Sequence, residues 1–372
     1  MSAPDQRIEQ VTSALTPEPR RIRAGLIGCG AWGRNIAAAV DRCGRFELVA
    51  VADTRPEEAR QLAGTLASRP EALSPDAILE SARIEAVLVV TDAATHYDLA
   101  SRALARGKHT FVEKPIATSA RAGAELVEAA NRADRILMVG HTFLYSDYVR
   151  HVDQALGERR LGDLRYVHLQ RLAFGRFRDD VNVIWNLGPH DVSILMHWAK
   201  RPPSAVRCVE HAFARPSLSD VALLTLDFDD WLGHVHLSVV DPQKVRRATV
   251  VGTSAGIVYD DVEGNVVLSQ NTDGERRCLT STTSRRPLDV EIDHFAQCVL
   301  TGHQPVTDGV HGTWVSAVLE QAAESAAQGG AWREVVAPVE SWTYEPTPSP
   351  GSLPDQRGIS SVGGEESMGV PA

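Results

Sequence analysis

Ala24-Gly25-Leu26-Ile27-Gly28-Cys29-Gly30-Ala31-Trp32-Gly33 is the stretch whose reading decides the fold. The apolar run Ala24–Ile27 has strand character and passes straight into glycines spaced G-x-G-x-x-G, with the helical stretch Trp32–Val40 behind them. Glycine-rich turns are common, so the pattern gains meaning only from its context. Asp53 closes the next apolar run, twenty residues after Gly33, where a dinucleotide unit needs an acid for the adenosine ribose. Gly28 then makes the tight turn, Gly30 lets the backbone approach a pyrophosphate, and Gly33 lets helix and strand pack closely. The helix N-terminus at Ala31 and Trp32 faces the anion. A carboxylate at Asp53 repels a 2′-phosphate, so NAD is the expected cofactor, while Arg55 leaves NADP possible.

Working outward, short apolar runs alternate with helical stretches between Arg23 and about Phe143. Ala24–Ile27, Leu48–Ala52, Ala86–Val90, His109–Val112 and Ile136–Val139 are predicted strands, and their alternation with helices predicts a parallel sheet. After about Leu144 the runs lengthen: 164–174, 206–212, 221–228, 232–240, 245–252 and 256–260, joined by Asp, Gly and Pro turns. Helices are expected at 188–199, 290–301 and 310–327. The fold class is therefore α/β, with an N-terminal Rossmann domain over 21–143 and a C-terminal α/β domain over 144–340 that carries a large, mostly antiparallel open sheet. The uncovered sheet face calls for a second copy of the chain, so a homo-oligomer is expected. Residues 1–20 and 341–372 read as flexible or disordered tails.

At 372 residues the chain exceeds what one core holds, and 38 basic against 48 acidic residues give a net charge of −10. No basic block interleaves with aromatics, which argues against nucleic acid. Five cysteines without CxxC spacing fit reduced thiols and no structural metal. No early apolar segment resembles a signal peptide, and nothing approaches the ~20 apolar residues that span a bilayer, so a soluble, cytoplasmic protein without membrane association is expected.

Candidate chemistry sits at strand ends, because ligands of open α/β sheets lie outside the strands' carboxyl ends. Glu113-Lys114-Pro115 follows the run ending at Val112 and places an amine beside the expected nicotinamide, its direction restricted by the proline. Thr91, Thr95 and His96 follow the strand 86–90 and are candidates for cofactor contact; His141 is a weaker one. In Asn186-Leu187-Gly188-Pro189-His190-Asp191, Gly and Pro are read as opening a helix, with His190 in its first turn and kept neutral by the helix N-terminus.

Together Gly28–Gly33, Asp53, Thr95-His96, Gly107-Lys108-His109, Glu113-Lys114-Pro115 and Gly188-Pro189-His190 resemble the Gfo/Idh/MocA oxidoreductases over roughly 23–330, including His294-Phe295 and Pro305-Val306-Thr307-Asp308-Gly309. The resemblance implies NAD(P)-linked oxidation or reduction of a sugar or cyclitol carbon, with Lys114 in the place of the catalytic lysine and an open sheet used for oligomerisation as a dimer or tetramer. The family's Asp-x-x-x-His motif falls on Asn186 and His190, so the carboxylate is replaced by an amide. Asn186 cannot take up a proton but can hold a sugar hydroxyl. Asp191, one residue along a helix, points about 100° away and does not replace it. Lys114 and His190 must then share the acid–base work. The segment 170–191 looks most like members acting on nucleotide sugars or aminoglycoside sugars at C3 in antibiotic or glycan biosynthesis. A glycosidase of the same fold that holds NAD, and a non-enzymatic NAD-dependent sugar sensor, are the alternatives.

Overall fold

A computed structural model describes residues 20–175, 177–178, 181–270, 276–278 and 285–339. The N-terminal half runs β1 (Ile22–Ile27), α1 (Ala31–Arg42), β2 (Phe46–Ala52), α2 (Pro56–Thr65), β3 (Glu71–Leu73), α3 (Pro75–Glu80), β4 (Ala86–Val89), α4 (Ala93–Ala105), β5 (His109–Glu113), α5 (Ala120–Ala133) and β6 (Leu137–Gly140). The six strands form one parallel sheet in the order β3-β2-β1-β4-β5-β6, the doubly wound arrangement in which the chain reverses direction beside β1. Every residue of β4 and β6 is buried, as expected for strands covered on both faces. The edge strand β3 escaped the sequence reading because it is three residues long, with Glu71 and Ala72 exposed and Leu73 half-buried.

A 3-10 turn at Thr142–Tyr145 leads into α6 (Asp147–Gly157), which lacked a sequence signal strong enough to separate it from the change of pattern there. The second sheet follows: β7 (Leu164–Phe174), α7 (Val183–Ala199), β8 (Ala205–His211), β9 (Val221–Asp227), β10 (Leu232–Ser238), β11 (Val240–Gly252), β12 (Ala255–Asp260), β13 (Asn265–Gln270) and β14 (Arg276–Cys278), then α8 (Pro287–Thr301), α9 (Gly309–Ala327) and β15 (Arg333–Glu334). Its strand order is β14-β13-β12-β11-β7-β10-β9-β8-β15, and only β10 and β7 pair in parallel. The expected open, mostly antiparallel sheet is present. Helices α7 and α9 cover one face.

The late helices do more than cover that sheet. Phe295 of α8 packs between Phe46 of β2 and Phe111 of β5, with ring centroids 5.8 Å apart in both pairs. Val139 N–H donates to the Thr307 carbonyl at 2.7 Å, and Gly312 of α9 lies so close to β6 that a Cβ there would meet Val139 Cγ2 at 2.6 Å. The C-terminal helices therefore complete the N-terminal sheet, and one hydrophobic core runs through both halves. Of the expected tails over 1–20 and 341–372, all but Arg20 lies outside the described residues. No helix among the described residues is long and apolar enough to cross a membrane.

Two glycines of the opening stretch carry steric demands that side chains cannot meet. Gly28 has φ +109°, and a Cβ there would sit 2.2 Å from the Val90 carbonyl oxygen; at Gly33 it would sit 1.9 Å from the Gly28 oxygen. Gly33→Ala is expected to lower the unfolding free energy by about 2 kcal/mol or more in urea titration, the scale of a steric core defect. Gly64→Ala, on open space in α2, should stay at or above wild type.

Candidate active site

The G-x-G-x-x-G turn links β1 to α1. Gly30 caps α1 without a side-chain cap, the first turn holds no acid, and a Cβ on Gly30 would meet nothing within 4 Å. These are the properties of a pyrophosphate seat: open N–H groups, a positive helix end and room for the ligand to approach the backbone. Asp53, at the end of β2, accepts from Cys29 N–H at 2.8 Å through one oxygen and from Arg55 N–H at 2.9 Å through the other. Both oxygens keep lone pairs for a ribose diol. Arg55 stands 3.7 Å from Asp53 and 3.6 Å from Glu58, held between two carboxylates. The residues present fit NAD, with Gly28, Gly30 and the start of α1 toward its pyrophosphate and Asp53 toward its ribose.

β5 ends in Glu113, which is buried and bracketed by two N–H donors, Trp32 Nε1 at 2.5 Å and the Lys114 backbone at 3.0 Å. Burial pushes its carboxyl above the usual range. Trp32, on the first turn of α1, is thus tied to the strand that carries Lys114. The Lys114–Pro115 peptide is cis. Lys114 Nζ donates to the Asn186 backbone carbonyl on α7 at 2.9 Å. Burial lowers the lysine's proton affinity; Glu113 opposes this, while Arg178 and Arg171 add to it. An amine so placed is closer to a working base than a lysine in water.

α7 starts earlier than the sequence suggests. Its N-cap is Asn182, whose side chain accepts from Trp185 N–H at 3.1 Å, and Gly188 and Pro189 lie inside the helix. His190 is therefore two turns from the N-terminus, and the helix end cannot be what keeps its ring neutral. Burial is the main cause of its strongly depressed proton affinity, followed by the positive charges of Lys114 and Arg171. Gly188 serves packing: a Cβ there would meet Leu319 of α9 at 2.9 Å. Pro189 removes only the N–H that would have reached the Trp185 carbonyl.

The other candidates divide. Thr91 and Thr95 join hydroxyls at 2.7 Å behind β4, and Thr95 also donates to the Asp92 carbonyl. His96 turns away from the cleft: it is 1 % exposed, with Nδ1 2.7 Å from the Pro115 carbonyl and Nε2 3.0 Å from that of Thr91. Instead of reaching a ligand directly, its ring ties the Lys114–Pro115 turn to β4. Asn186 and His190 share the α7 face toward Lys114, one helical turn apart.

Sequence reasoning missed the group next to His190. Arg171 of β7 forms a buried bidentate pair with Asp191, at 2.7 and 3.0 Å, and its guanidinium lies 4.3 Å from the ring centre of Phe143. Phe143 meets His190 edge-on at 4.8 Å. Asp191 is thus engaged with Arg171, consistent with its turning away from Lys114. Arg246 approaches the other side of the same cleft, which is also lined by Gln170, Tyr259 and Asp261. The signal was the adjacency of two polar residues, His190 and Asp191, within a mostly apolar helix.

A parallel-sheet dinucleotide seat facing a half-buried lysine and a neutral histidine defines an NAD-linked oxidoreductase of CH–OH groups. The chain belongs to the GFO/IDH/MocA family: the model described as an oxidoreductase family with an NAD-binding Rossmann fold matches residues 22–141, and that of the GFO/IDH/MocA C-terminal domain matches 149–258. It is 28 % identical over 320 residues to UDP-N-acetylglucosamine 3-dehydrogenase of Acidithiobacillus ferrooxidans, covering 81 % of this chain and 96 % of that one. A solved structure of that enzyme superposes with a TM-score of 0.74 at 25 % identity, covering 82 % of this chain and 98 % of the other. D-apiose dehydrogenase of Paraburkholderia graminis is 27 % identical over 362 residues, covering 88 % and 93 % of the two chains. GenD2 from gentamicin A biosynthesis, solved with NAD, shares the fold at a TM-score of 0.75 and 22 % identity, over 87 % of this chain and 100 % of that one.

Asp53→Ala should weaken NAD by about tenfold or more in calorimetric titration, the loss expected for charge-assisted hydrogen bonds. NADP should be affected much less. An equal loss for both dinucleotides would show that Asp53 acts only by bracing the Cys29 turn.

Proposed function

We propose that this chain interconverts a secondary hydroxyl and a ketone on a pyranose sugar, with Lys114 as general acid–base and His190 beside it. The observation that carries the reading is the amine of the half-buried Lys114, at the carboxyl edge of β5 and held 2.9 Å from the α7 carbonyl next to His190. Bound NAD supplies the hydride acceptor or donor. In oxidation Lys114 takes the hydroxyl proton as the carbinol hydride departs; in reduction its ammonium returns a proton to the carbonyl oxygen. His190 and the Asn186 amide orient the hydroxyl by hydrogen bonding.

The curated relative acting at C3 of UDP-N-acetylglucosamine supports a nucleotide sugar or an aminoglycoside sugar as substrate, in antibiotic or glycan biosynthesis. Arg178 and Arg246, near Lys114 and His190, favour the anionic nucleotide sugar of the two. A soluble, cytoplasmic homo-oligomer fits this role. On the sheet face away from α7 and α9, Tyr166, Val209, Leu223 and Leu232 are exposed. Among them stand His168, His234 and His236, kept neutral chiefly by burial. A face of this kind suits a second copy.

Lys114→Met should keep NAD binding while turnover falls by roughly 10²-fold or more, the scale of lost general acid–base catalysis. A screen of UDP-sugars and aminoglycosides at the NADH absorbance band checks this. Net NADH formation with wild type speaks for a dehydrogenase; glycoside cleavage without it speaks for the glycosidase alternative. Leu223→Glu should shift the assembly toward monomer in sedimentation velocity, and an unchanged coefficient would place the interface elsewhere.

A further inference from the structure

Glu113 ends β5 with only 6 % of its surface exposed, and a carboxylate so placed needs donors to stay ionised. It has two: Trp32 Nε1 donates to Oε1 at 2.5 Å, and the Lys114 backbone N–H donates to Oε2 at 3.0 Å. Space for the carboxylate comes from Gly140 across the sheet, where a Cβ would stand 2.8 Å from Oε1. Trp32 belongs to the first turn of α1 and is itself 44 % exposed. Its indole therefore reaches from the helix that seats the pyrophosphate to a residue 81 positions along the chain, the lysine's immediate neighbour.

The groups facing Lys114 differ in sign. Burial lowers the lysine's proton affinity, Glu113 raises it, and Arg178, from the segment before α7, and Arg171 of β7 lower it again. His190 of α7, His141 at the end of β6 and His96 of α4 are each kept neutral chiefly by burial, so none of them supplies a charge. Glu113 is thus the opposite charge that holds a proton on the amine. Its own state is contested. Burial pushes its carboxyl up, while the Trp32 N–H, the Lys114 charge and the Lys114 backbone N–H favour the anion, the indole foremost among them. Glu291 of α8 also faces Glu113 and is driven neutral by burial and by the Glu113 charge.

We propose that Trp32 and Glu113 are a positioning pair for Lys114, the indole N–H holding the Glu113 carboxylate beside the lysine so that the amine can both take and return a proton. The pair rests on the reading of Lys114 as the acid–base group. In oxidation the lysine must be neutral before the hydroxyl proton arrives, and in reduction it must be an ammonium. An amine that holds its proton too weakly is a weak base in the first direction and an empty acid in the second. Burial and the two arginines pull Lys114 that way, and one fixed carboxylate pulls it back. Trp32 does not bond the amine. It acts through Glu113, because a buried carboxylate deprived of an N–H donor moves toward its neutral form and loses its hold on the lysine.

The direct test reads the lysine itself. Lys108, Lys114, Lys200 and Lys244 are the only lysines of the sequence, so the full chain labelled with ¹³C at lysine Cε gives four signals, and Lys114→Met assigns the one of interest. Its titration is followed by NMR in wild type, Glu113→Gln, Trp32→Phe and Trp32→Gln. The last variant supplies an amide N–H as many bonds from the backbone as the indole N–H, whereas phenylalanine keeps a ring without a donor. Glu113→Gln removes the opposite charge, so the Lys114 midpoint should move to lower pH. Trp32→Phe should move it the same way, Trp32→Gln should bring it back toward wild type, and Trp32→Phe added to Glu113→Gln should move it no further. Unmoved signals of Lys108, Lys200 and Lys244 show that the fold is kept. A Lys114 midpoint unchanged in Trp32→Phe, or moved equally by Phe and Gln, would overturn the pair. In a second arm, NADH formation from UDP-N-acetylglucosamine and NAD is followed against pH. Its acidic limb should shift to lower pH in Glu113→Gln and Trp32→Phe; a limb that stays in place counts against the pair. Wild type that forms no NADH from any sugar, or Lys114→Met that turns over normally, would overturn the acid–base reading alone, and the lysine midpoints would still decide the pair.

Discussion

The Val139 N–H to Thr307 carbonyl bond, 2.7 Å long, is the point on which the architecture turns. It joins the last strand of the N-terminal sheet to the segment between α8 and α9, extended by the Met138–Asp308 bridge. The chain therefore leaves the Rossmann sheet, builds a second sheet, and returns to finish the first. Small residues make the return possible: Gly309 and Gly312 put the α9 backbone against Leu137 and Val139, and Gly123 of α5 meets Thr313. Because α9 also packs on α7, the same helix sets the height of His190 over Lys114. The geometry of the candidate site is thus fixed across the seam by packing.

That seam also explains the electrostatics. Burying charges is costly unless they are paired, and the site obeys this by pairing some groups and neutralising others. Arg171 and Asp191 form a bidentate buried pair. Glu291 of α8, fully buried with one oxygen on the Thr142 hydroxyl, is driven toward its neutral form by burial and by Glu113 nearby. His141, His190 and His311 are all held neutral by burial first and by like charge second. What remains is a cleft in which Lys114 is the group that the proposed reaction asks to change its protonation, and burial has lowered its proton affinity for that. Replacement of a family carboxylate by Asn186 is consistent with this: a buried anion there would have raised the lysine's proton affinity and worked against its use as a base.

Much of this was legible in the sequence, for identifiable reasons. Strands buried on both faces read as uninterrupted apolar runs, and the glycine spacing with Asp53 specified one turn chemistry, so the first sheet and its dinucleotide seat could be read directly. Lys114 was legible because a charge at the end of such a run has few structural explanations. The beginning of α7 was misread because Gly188-Pro189 normally punctuates a helix, whereas here Gly188 answers the Leu319 side chain from 131 residues away. His96 was placed on the ligand side because strand-end position says where a residue lies but not which way its ring turns. The Asp191 partner of Arg171 and the ring contact of His141 with His311 depend on β7, α7, α9 and β6 meeting, and no local pattern encodes that meeting.

Helix α7 shows how the two levels combine. Its hydrophobic character predicts burial, and burial predicts that any polar residue on it must be satisfied or have a use. Three of them meet partners along its length: Asp191 neutralises Arg171, Ser193 meets His311, and His197 faces Asp153, while Lys114 reaches the Asn186 backbone carbonyl. Asp191 alone leaves the stripe that carries Asn186, Ser193 and His197, because the arginine approaches from a different side than the lysine and α9. An element read as core is therefore also the wiring between the cofactor sheet and the substrate sheet. Its polar residues are explained only when all three neighbours are present, which is why the site's chemistry depends on the chain having come back to close its first domain.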